Sequence, residues 1–143
     1  MNTSNTANTP SRLLYTMLRV GNLEQSIAFY RDALGMQELR RETFTRGRFT
    51  LVFMGYGSET RNAVIELTYN WDESNYVLGT SYGHIALAVD DIDAVCNRLK
   101  MLPVNIVRPA GPMTFAADET EEKEIIAFIE DPDGYRIELI QTR

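Results

Sequence analysis

The sequence predicts an α+β fold made of two βαβββ modules, whose curved mixed sheets form a cavity. Two patterns support this fold: a strand followed by a helix recurs roughly 70 residues further along the chain, and so does a strand with a central glutamate. We therefore expect one domain over residues 12–143, with repeats at about 12–70 and 83–141. Residues 1–11 are polar and lack the order of a signal peptide, so we expect a disordered tail there.

The first strand and helix of the two repeats have matching patterns. The stretch YTMLRVGNL (15–23) aligns with HIALAVDDI (84–92), and apolar residues occupy corresponding positions in both. Asn22 is the expected N-cap of the first helix, and Asp90 or Asp91 is the expected N-cap of the second. In each repeat a strand is therefore followed by a helix with an apolar face.

The last strands of the repeats also match. VIEL (64–67) and RIEL (136–139) each place a glutamate, Glu66 or Glu138, between apolar neighbours. The sequence DPDGY (131–135), which precedes the second of these strands, predicts a tight turn. Further strand material follows each helix: MQELRRETF and RFTLVFMGY in the first repeat, VNIVRP and EIIAFIE in the second. Each repeat is therefore predicted to have the order β-α-β-β-β.

The composition argues against several classes of function. The net charge of −6 argues against broad nucleic-acid binding and against an anionic membrane surface. No apolar run is long enough to span a bilayer. The single cysteine, Cys96, excludes an intrachain disulfide and favours a reducing compartment. We expect a cytoplasmic protein whose partners include neither nucleic acid nor membrane.

Three residues at matching positions of the repeats are candidate metal ligands. His84, the only histidine, begins the second repeat, and Glu66 and Glu138 hold equivalent places in the two last strands. Each glutamate alone is better explained as a solvent-facing residue of a half-exposed strand. Because the two are symmetric and a histidine accompanies them, a shared metal is the better explanation for the set. Two carboxylates and one imidazole suit Mn, Co, Ni, Fe or Zn.

Four longer stretches are informative together. They read LLYTMLRVGNLEQSIAFYRDALGM, FMGYGSETRNAVIELTYNW, YGHIALAVDDI and FIEDPDGYRIELI, and they cover most of residues 12–141. The chain resembles glyoxalase I, a family of the vicinal oxygen chelate superfamily, and most closely its bacterial branch. The resemblance implies paired βαβββ modules and a homodimer with active sites at the subunit interface. It also implies metal-dependent isomerisation of the hemithioacetal of methylglyoxal and glutathione to S-lactoylglutathione.

The resemblance implies roles for individual residues. The metal ligands fall on Tyr15, Glu66, His84 and Glu138. The divalent metal implied by the bacterial branch is nickel or cobalt rather than zinc or manganese. Glu138 is the principal base that moves a proton between neighbouring carbons, and Glu66 is its symmetric counterpart. Arg19 and Asn70 match positions that bind glutathione, the co-substrate.

Tyr15 departs from the family pattern, in which this position holds histidine or glutamine. A phenol gives up its proton in water only at high pH, so it ligates well only where a metal helps to remove that proton. Three outcomes are open: Tyr15 ligates as a phenolate, its ring turns away and leaves the position to water, or it fills the cavity and abolishes metal binding. A bound metal with altered affinity is favoured over a lost metal, because three ligands remain.

A second departure lies in residues 113–124, MTFAADETEEKE, which are longer and more acidic than the corresponding loop of bacterial relatives. Lysines of that loop receive the anionic glutathione in relatives, so an acidic loop would repel it weakly, with Lys123 as partial compensation. A flexible surface loop is an equally good interpretation, and an active-site lid is another.

Two classes of function remain. The first is a metal-dependent isomerase of the lactoylglutathione lyase type. The second is a non-catalytic or weakly catalytic protein that binds a thiol conjugate or another small ligand, which Tyr15 and the acidic loop favour. The retained metal-site residues favour the enzyme, which we expect. An extradiol dioxygenase needs two histidines and one carboxylate, and a chain with one histidine cannot supply them.

Overall fold

The computed structural model describes residues 7–143, and its two halves have the same topology. The first half contains β1 (Tyr15–Arg19), α1 (Leu23–Ala28), β2 (Gln37–Phe44), β3 (Phe49–Gly55) and β4 (Val64–Asn70). The second half contains β5 (Ile85–Val89), α2 (Ile92–Leu99), β6 (Asn105–Pro112), β7 (Ile125–Glu130) and β8 (Arg136–Gln141). The predicted α+β class and the order β-α-β-β-β are confirmed. Residues 1–6 lie outside the described residues, so the disordered tail over 1–11 stays a prediction.

Each half forms one four-stranded mixed sheet. The strand orders are β1-β4-β3-β2 and β5-β8-β7-β6. The first strand of each half runs parallel to the last strand of that half, and the other neighbours are antiparallel. Both sheets are open, so β1 and β5 are edge strands with a strand partner on one side only.

Both helices begin at the caps that the sequence predicts. The side chain of Asn22 accepts a hydrogen bond from the backbone N–H of Gln25 at 3.1 Å. In the second half the cap is Asp91 rather than Asp90, and its carboxylate accepts from the N–H of Ala94 at 3.0 Å. Each side chain satisfies one of the backbone donors that a helix leaves free at its first turn.

The helix of the first half ends in a π-helical turn, Phe29–Ala33, which the sequence pattern does not predict. Arg98 of α2 donates to the carbonyl oxygens of Asp32 and Ala33 at the end of this turn. Gly35 then adopts a φ of +74°, which lets the chain leave the helix.

A single apolar core joins the two halves. It lies between the helices and one face of each sheet, and its fully buried members come from both halves: Val20, Ile27, Tyr30, Val52, Met54, Leu67, Leu99, Ala127, Ile129, Ile137 and Leu139. The opposite sheet faces do not take part in this core. Among residues 7–143, no helix is long and apolar enough to cross a membrane.

The predicted DPDGY turn also joins the halves. The hydroxyl of Tyr30 donates to Oδ2 of Asp131 at 2.7 Å, and Oδ1 of Asp131 accepts from the backbone N–H groups of Asp133 and Tyr135, both at 2.9 Å. Gly134 has a φ of +91°, as a tight turn requires. Burial raises the pKa of Asp131 from its ordinary value of 3.8 to about 6, although the three hydrogen bonds act in the opposite direction.

Candidate metal and substrate site

The open face of the first sheet carries the predicted site residues of the first half. Leu18 of β1 points into the core, so the residues one position away on either side point to the open face. Met17 pairs with Glu66 across the neighbouring strand, and paired residues share a face. By the same alternation, this face carries Tyr15, Arg19, Glu66 and Asn70.

Tyr15 and Glu66 form the first pair of candidate ligands. The ring of Tyr15 packs edge-on against Phe53, with ring centres 5.2 Å apart, and Phe53 is the register partner of Glu66 in β3. Glu66 is buried, with 7% of its surface exposed. Its Oε2 accepts a hydrogen bond from the hydroxyl of Thr68 at 2.6 Å. A buried carboxylate that has such a donor is satisfied, so Glu66 is not the solvent-facing residue that one strand glutamate alone would suggest.

His84 and Glu138 form the second pair, and they contact each other directly. Nε2 of His84 lies 3.1 Å from Oε1 of Glu138. The imidazole ring packs edge-on against Phe128, with ring centres 5.1 Å apart, and Phe128 is the register partner of Glu138 in β7. The side chain of Glu138 is only 12% exposed, and that of His84 is 42% exposed, so the imidazole is the more accessible of the two.

The two pairs are related by the internal symmetry. Tyr15 stands against Phe53 at an interplanar angle of 78°, and His84 stands against Phe128 at 76°. The ring of Tyr15 therefore occupies the place in the first half that the imidazole occupies in the second. It remains on the open face, with 43% of its surface exposed.

Arg19 and Asn70 lie at the same end of the first sheet. Arg19 ends β1 and pairs with Thr68, and Asn70 ends β4 two residues further along. The Nδ2 group of Asn70 donates to the hydroxyl of Tyr76 at 3.1 Å. The guanidinium of Arg19 forms no hydrogen bond or ion pair within residues 7–143, so its five donors are free to bind an anion.

The acidic loop, residues 113–124, lies beside the second pair. Together with Glu138 and Arg143 it lines a cavity of about 550 Å³. Glu122 of the loop accepts a hydrogen bond from Nη1 of Arg143 at 2.6 Å. The loop is therefore adjacent to the proposed base, and its charge can act on a ligand that approaches Glu138.

A single chain keeps the two pairs of candidate ligands on separate sheets. Across residues 7–143, no three His, Cys, Asp or Glu side chains lie close enough together to hold a metal ion. The donor types nevertheless fit a divalent ion, because two carboxylates and one imidazole are ligands that such ions accept, with a phenol as a fourth candidate. Each half thus offers two donors on an open face, and a site of four donors requires two such faces opposite each other.

No pattern in the sequence indicates which aromatic rings pack against Tyr15 and His84. Phe53 and Phe128 were part of predicted strands, but only the cross-strand register identifies them as the rings against which Tyr15 and His84 pack. The sequence could have identified Thr68 as a neighbour of Glu66, because residues two positions apart in a strand lie on the same face of the sheet.

Paired βαβββ modules, whose open faces carry symmetric donor pairs, define a class of proteins with duplicated half-sites for a metal or a small ligand. Residues 12–139 match the family described as the Glyoxalase/Bleomycin resistance protein/Dioxygenase superfamily, and the chain belongs to this family. The family resemblance drawn from the sequence is therefore confirmed.

Relatives of known activity and known structure support the same assignment. The chain is 55% identical over 132 residues to the lactoylglutathione lyase of Neisseria meningitidis, covering 92% of this chain and 91% of that one. It superposes on glyoxalase I from Zea mays with a TM-score of 0.84 at 37% identity, over 92% of this chain and 44% of the maize chain, so it spans less than half of that protein. The trypanothione-dependent glyoxalase I of Leishmania major gives a TM-score of 0.77 at 40% identity, over 92% of this chain and 86% of the other.

Proposed function

We propose that this chain is a lactoylglutathione lyase. It isomerises the hemithioacetal of methylglyoxal and glutathione to S-lactoylglutathione and so removes methylglyoxal. The observation that carries the proposal is the contact of His84 with Glu138, 3.1 Å apart on an open sheet face, in a chain that is 55% identical to a lactoylglutathione lyase. We also propose that it acts in the cytoplasm, because its single cysteine suits a reducing compartment.

The reaction transfers a proton from the carbon that bears sulfur to the neighbouring carbonyl carbon. The hydroxyl proton of the first carbon passes to the carbonyl oxygen of the second, so that the hydroxyl carbon becomes the thioester carbonyl. Glu138 accepts the carbon-bound proton and returns it to the second carbon. Its Oε1 faces His84, and in the described part of the chain no donor bonds to its Oε2, so this oxygen is available for the substrate proton. The low exposure of the side chain limits exchange of the proton with water.

The residues of both pairs would hold a divalent ion: Glu66, His84 and Glu138, with Tyr15 as the fourth candidate. We propose nickel or cobalt as the ion, rather than zinc or manganese. When bound, the ion supplies Lewis-acid stabilisation of the negative charge that develops on the substrate oxygens. The hydrogen bond from Thr68 fixes the orientation of Glu66 and so prepares it as a ligand.

Arg19 and Asn70 bind the glutathione part of the substrate. The free guanidinium of Arg19 is able to form a forked pair with one of the carboxylates of glutathione. Asn70 lies on the same face and offers amide and carbonyl groups beside it. Both residues lie at one end of the sheet that carries Glu66, so the peptide is held at a distance along the strands from the reacting carbons.

We further propose that the active unit is a homodimer with its sites at the interface. Each half of one chain offers two of the four donors, and Tyr15 and Met17, both apolar over much of their surface, remain exposed on the open face of the first sheet. Two copies related by a two-fold axis would place the first half of one chain opposite the second half of the other. Each dimer then contains two equivalent sites.

Mixing two impaired variants, assayed without excess metal so that the weakened metal site of Glu66→Ala stays empty, tests the interface site. Glu66→Ala impairs the first half and Glu138→Ala impairs the second, so neither homodimer has an intact site. A mixed dimer has one site with both defects and one with neither, so unfolding and refolding an equal mixture should restore roughly a quarter of wild-type activity. If each chain contained its own complete site, mixing would restore nothing.

Metal analysis combined with an isomerisation assay tests the function. The purified protein is analysed for bound metal, stripped with a chelator, and assayed with the hemithioacetal after addition of nickel, cobalt, zinc or manganese. We expect the stripped protein to be inactive and nickel or cobalt to restore the highest rate. Absence of both bound metal and activity with any of the four ions would overturn the enzyme proposal.

Tyr15 favours one alternative, a protein that binds a thiol conjugate without converting it. In that case the protein would bind S-hexylglutathione, an unreactive analogue, but would not isomerise the hemithioacetal with any metal. Isothermal titration of S-hexylglutathione, carried out beside the assay, distinguishes the two functions.

A further inference from the structure

The DPDGY turn of the second half forms hydrogen bonds with the first half at and just after the end of β1. The hydroxyl of Tyr135 donates to the carbonyl oxygen of Arg19 at 2.9 Å. Asp133 accepts from the backbone N–H of Gly21 at 2.9 Å and from the hydroxyl of Ser26 at 3.3 Å. Both neighbours of Val20 are therefore fixed by a turn that is more than a hundred residues away in sequence.

The bond from Tyr135 compensates for the position of β1 at the edge of its sheet. The N–H of Val20 donates to the carbonyl oxygen of Thr68 in β4 at 3.0 Å. The carbonyl oxygen of Arg19 belongs to the same peptide unit and points the opposite way, towards the side of β1 where no strand follows. An unpaired carbonyl there would be free to tilt, so Tyr135 fixes the peptide that carries Arg19.

The side chain of Tyr135 is well placed to act as a fixed donor. It is 7% exposed and packs edge-on against Tyr82, with ring centres 5.2 Å apart. Burial is the largest of the effects that raise the pKa of Tyr135, so the hydroxyl keeps its proton at neutral pH. A buried ring has little freedom to rotate, so its hydroxyl stays in place. Its hydrogen bond therefore restricts the movement of the Arg19 backbone.

We propose that Tyr135 is a positioning residue for Arg19: through its hydrogen bond to the Arg19 carbonyl, it holds the guanidinium where it binds a carboxylate of glutathione. The proposal rests on the proposed function, because it assumes that Arg19 contacts that anion. In this proposal Tyr135, a residue of the second half, affects how tightly the first half binds the substrate. Tyr135 itself does not touch the substrate.

The variant Tyr135→Phe removes the hydrogen bond and keeps the ring. Loss of one such bond should raise the Kd for S-hexylglutathione and the KM for the hemithioacetal by about threefold to tenfold. The kcat should stay within about twofold of the wild-type value, because an affinity held equally in ground and transition states affects KM alone. Tyr82→Phe is the matched control, since it removes the hydroxyl of the other ring in the pair, which donates to the backbone carbonyl oxygen of Arg136 at 3.3 Å. It should leave the Kd unchanged.

A double-mutant cycle separates positioning from a general structural effect. In the Arg19→Ala background, Tyr135→Phe should change the Kd by less than about twofold, because the guanidinium that it positions is gone. Arg19 is exposed, so this background should fold, and thermal unfolding of all four proteins checks it. An unchanged Kd in Tyr135→Phe, or an equal loss with and without Arg19, would overturn this inference alone. If the wild type does not bind S-hexylglutathione at all, the proposed function fails and this inference fails with it.

Discussion

Thr68 donates a hydrogen bond of 2.6 Å to Glu66, and this bond distinguishes the two symmetric glutamates. The residue two positions after Glu138 is Ile140, which has no donor to offer, so Glu138 contacts His84 instead. Glu66 is thus held by a residue of its own strand, whereas Glu138 contacts the imidazole of His84, which immediately precedes the neighbouring strand β5. The symmetry of the fold is retained, but the two carboxylates have different surroundings and should have different roles.

Glu138→Gln should abolish most turnover, whereas Glu66→Gln should chiefly weaken metal binding. Removal of a general base costs about 10²-fold to 10⁴-fold in kcat, and glutamine cannot accept the proton. Steady-state kinetics at saturating nickel or cobalt measure both variants, because excess metal compensates for the weaker site of Glu66→Gln. Equal losses of kcat in the two variants at saturating metal would show that both carboxylates carry the proton. Thr68→Val is the control for the orientation of Glu66 and should lower metal affinity without a large change in kcat.

Tyr15→His should raise the affinity for nickel or cobalt by about tenfold or more, because imidazole is a better ligand for these ions than a phenol is. Competition with a coloured chelator measures the affinity independently of activity. Tyr56→His is the matched control, since Tyr56 is also an exposed tyrosine of the first half but lies after the end of β3. It should leave the affinity unchanged.

Tyr15→Phe identifies what the tyrosine does at the metal. If the phenol is a ligand, its removal lowers the metal affinity below that of the wild type. If water occupies the position, phenylalanine leaves the affinity unchanged. If the ring blocks the site, both the wild type and Tyr15→Phe fail to bind metal and only Tyr15→His binds it.

Local patterns predicted most of the fold because each part depends on neighbouring residues. The cap at Asn22 and the turn at 131–135 follow from side chains that bond their own backbone. The strands that carry Glu66 and Glu138 follow from apolar alternation and from the repeat. Arg19 and Asn70 became candidates only through the family resemblance, since the pattern alone favours a surface arginine and a turn residue; strand alternation then places both on the face of Glu66.

Contacts between distant segments were not predictable from the pattern. Nothing local indicates that Tyr30 donates to Asp131 or that Arg98 closes the π-helical turn, because these bonds depend on how the halves pack. The choice between Asp90 and Asp91 as the helix cap also required the structure, since both have the right chemistry. The separation of the ligand pairs onto two sheets depends on tertiary geometry in the same way.

Stability should fall as the pH rises from about 4 to about 7, through Asp131. Folding raises the pKa of this carboxyl from 3.8 to about 6, so between these values the folded state binds more protons than the unfolded state. The stabilisation is complete below about pH 4 and is lost as the pH passes 6, with a total of about 3 kcal/mol. Asp131→Asn has no proton to lose and keeps the shape of the side chain.

Urea unfolding at several pH values between 4 and 7 tests this difference. The free energy of unfolding of the wild type, minus that of Asp131→Asn, should decrease by about 2 kcal/mol between pH 4 and pH 7, because all other groups contribute equally to both proteins. Parallel pH dependences in the two proteins would contradict the assignment. Because Tyr30 of the first half donates to Asp131 of the second, this pH dependence also reports on the contact between the two halves.

The acidic loop should weaken binding of glutathione through Glu124. This residue and Glu122 line the cavity that contains Glu138, but Glu122 is paired with Arg143. No ion pair neutralises Glu124 within residues 7–143, so its charge is the one that an approaching carboxylate meets. Glu124→Gln should lower the KM for the hemithioacetal by about twofold at low salt, because it removes a weak repulsion.

Salt dependence and a charge-matched control make this prediction specific. The difference between Glu124→Gln and the wild type should disappear at about 0.5 M salt, where exposed charges are screened. Asp93→Asn makes the same change of charge on α2, whose buried residues face the core rather than the open face of the sheet, and should leave the KM unchanged at any salt concentration. If Glu124→Gln also leaves the KM unchanged at low salt, the loop lies too far from the bound peptide to act on it. If the KM instead rises, the loop attracts the substrate, and the thiol that it receives must present a cationic group near Glu124.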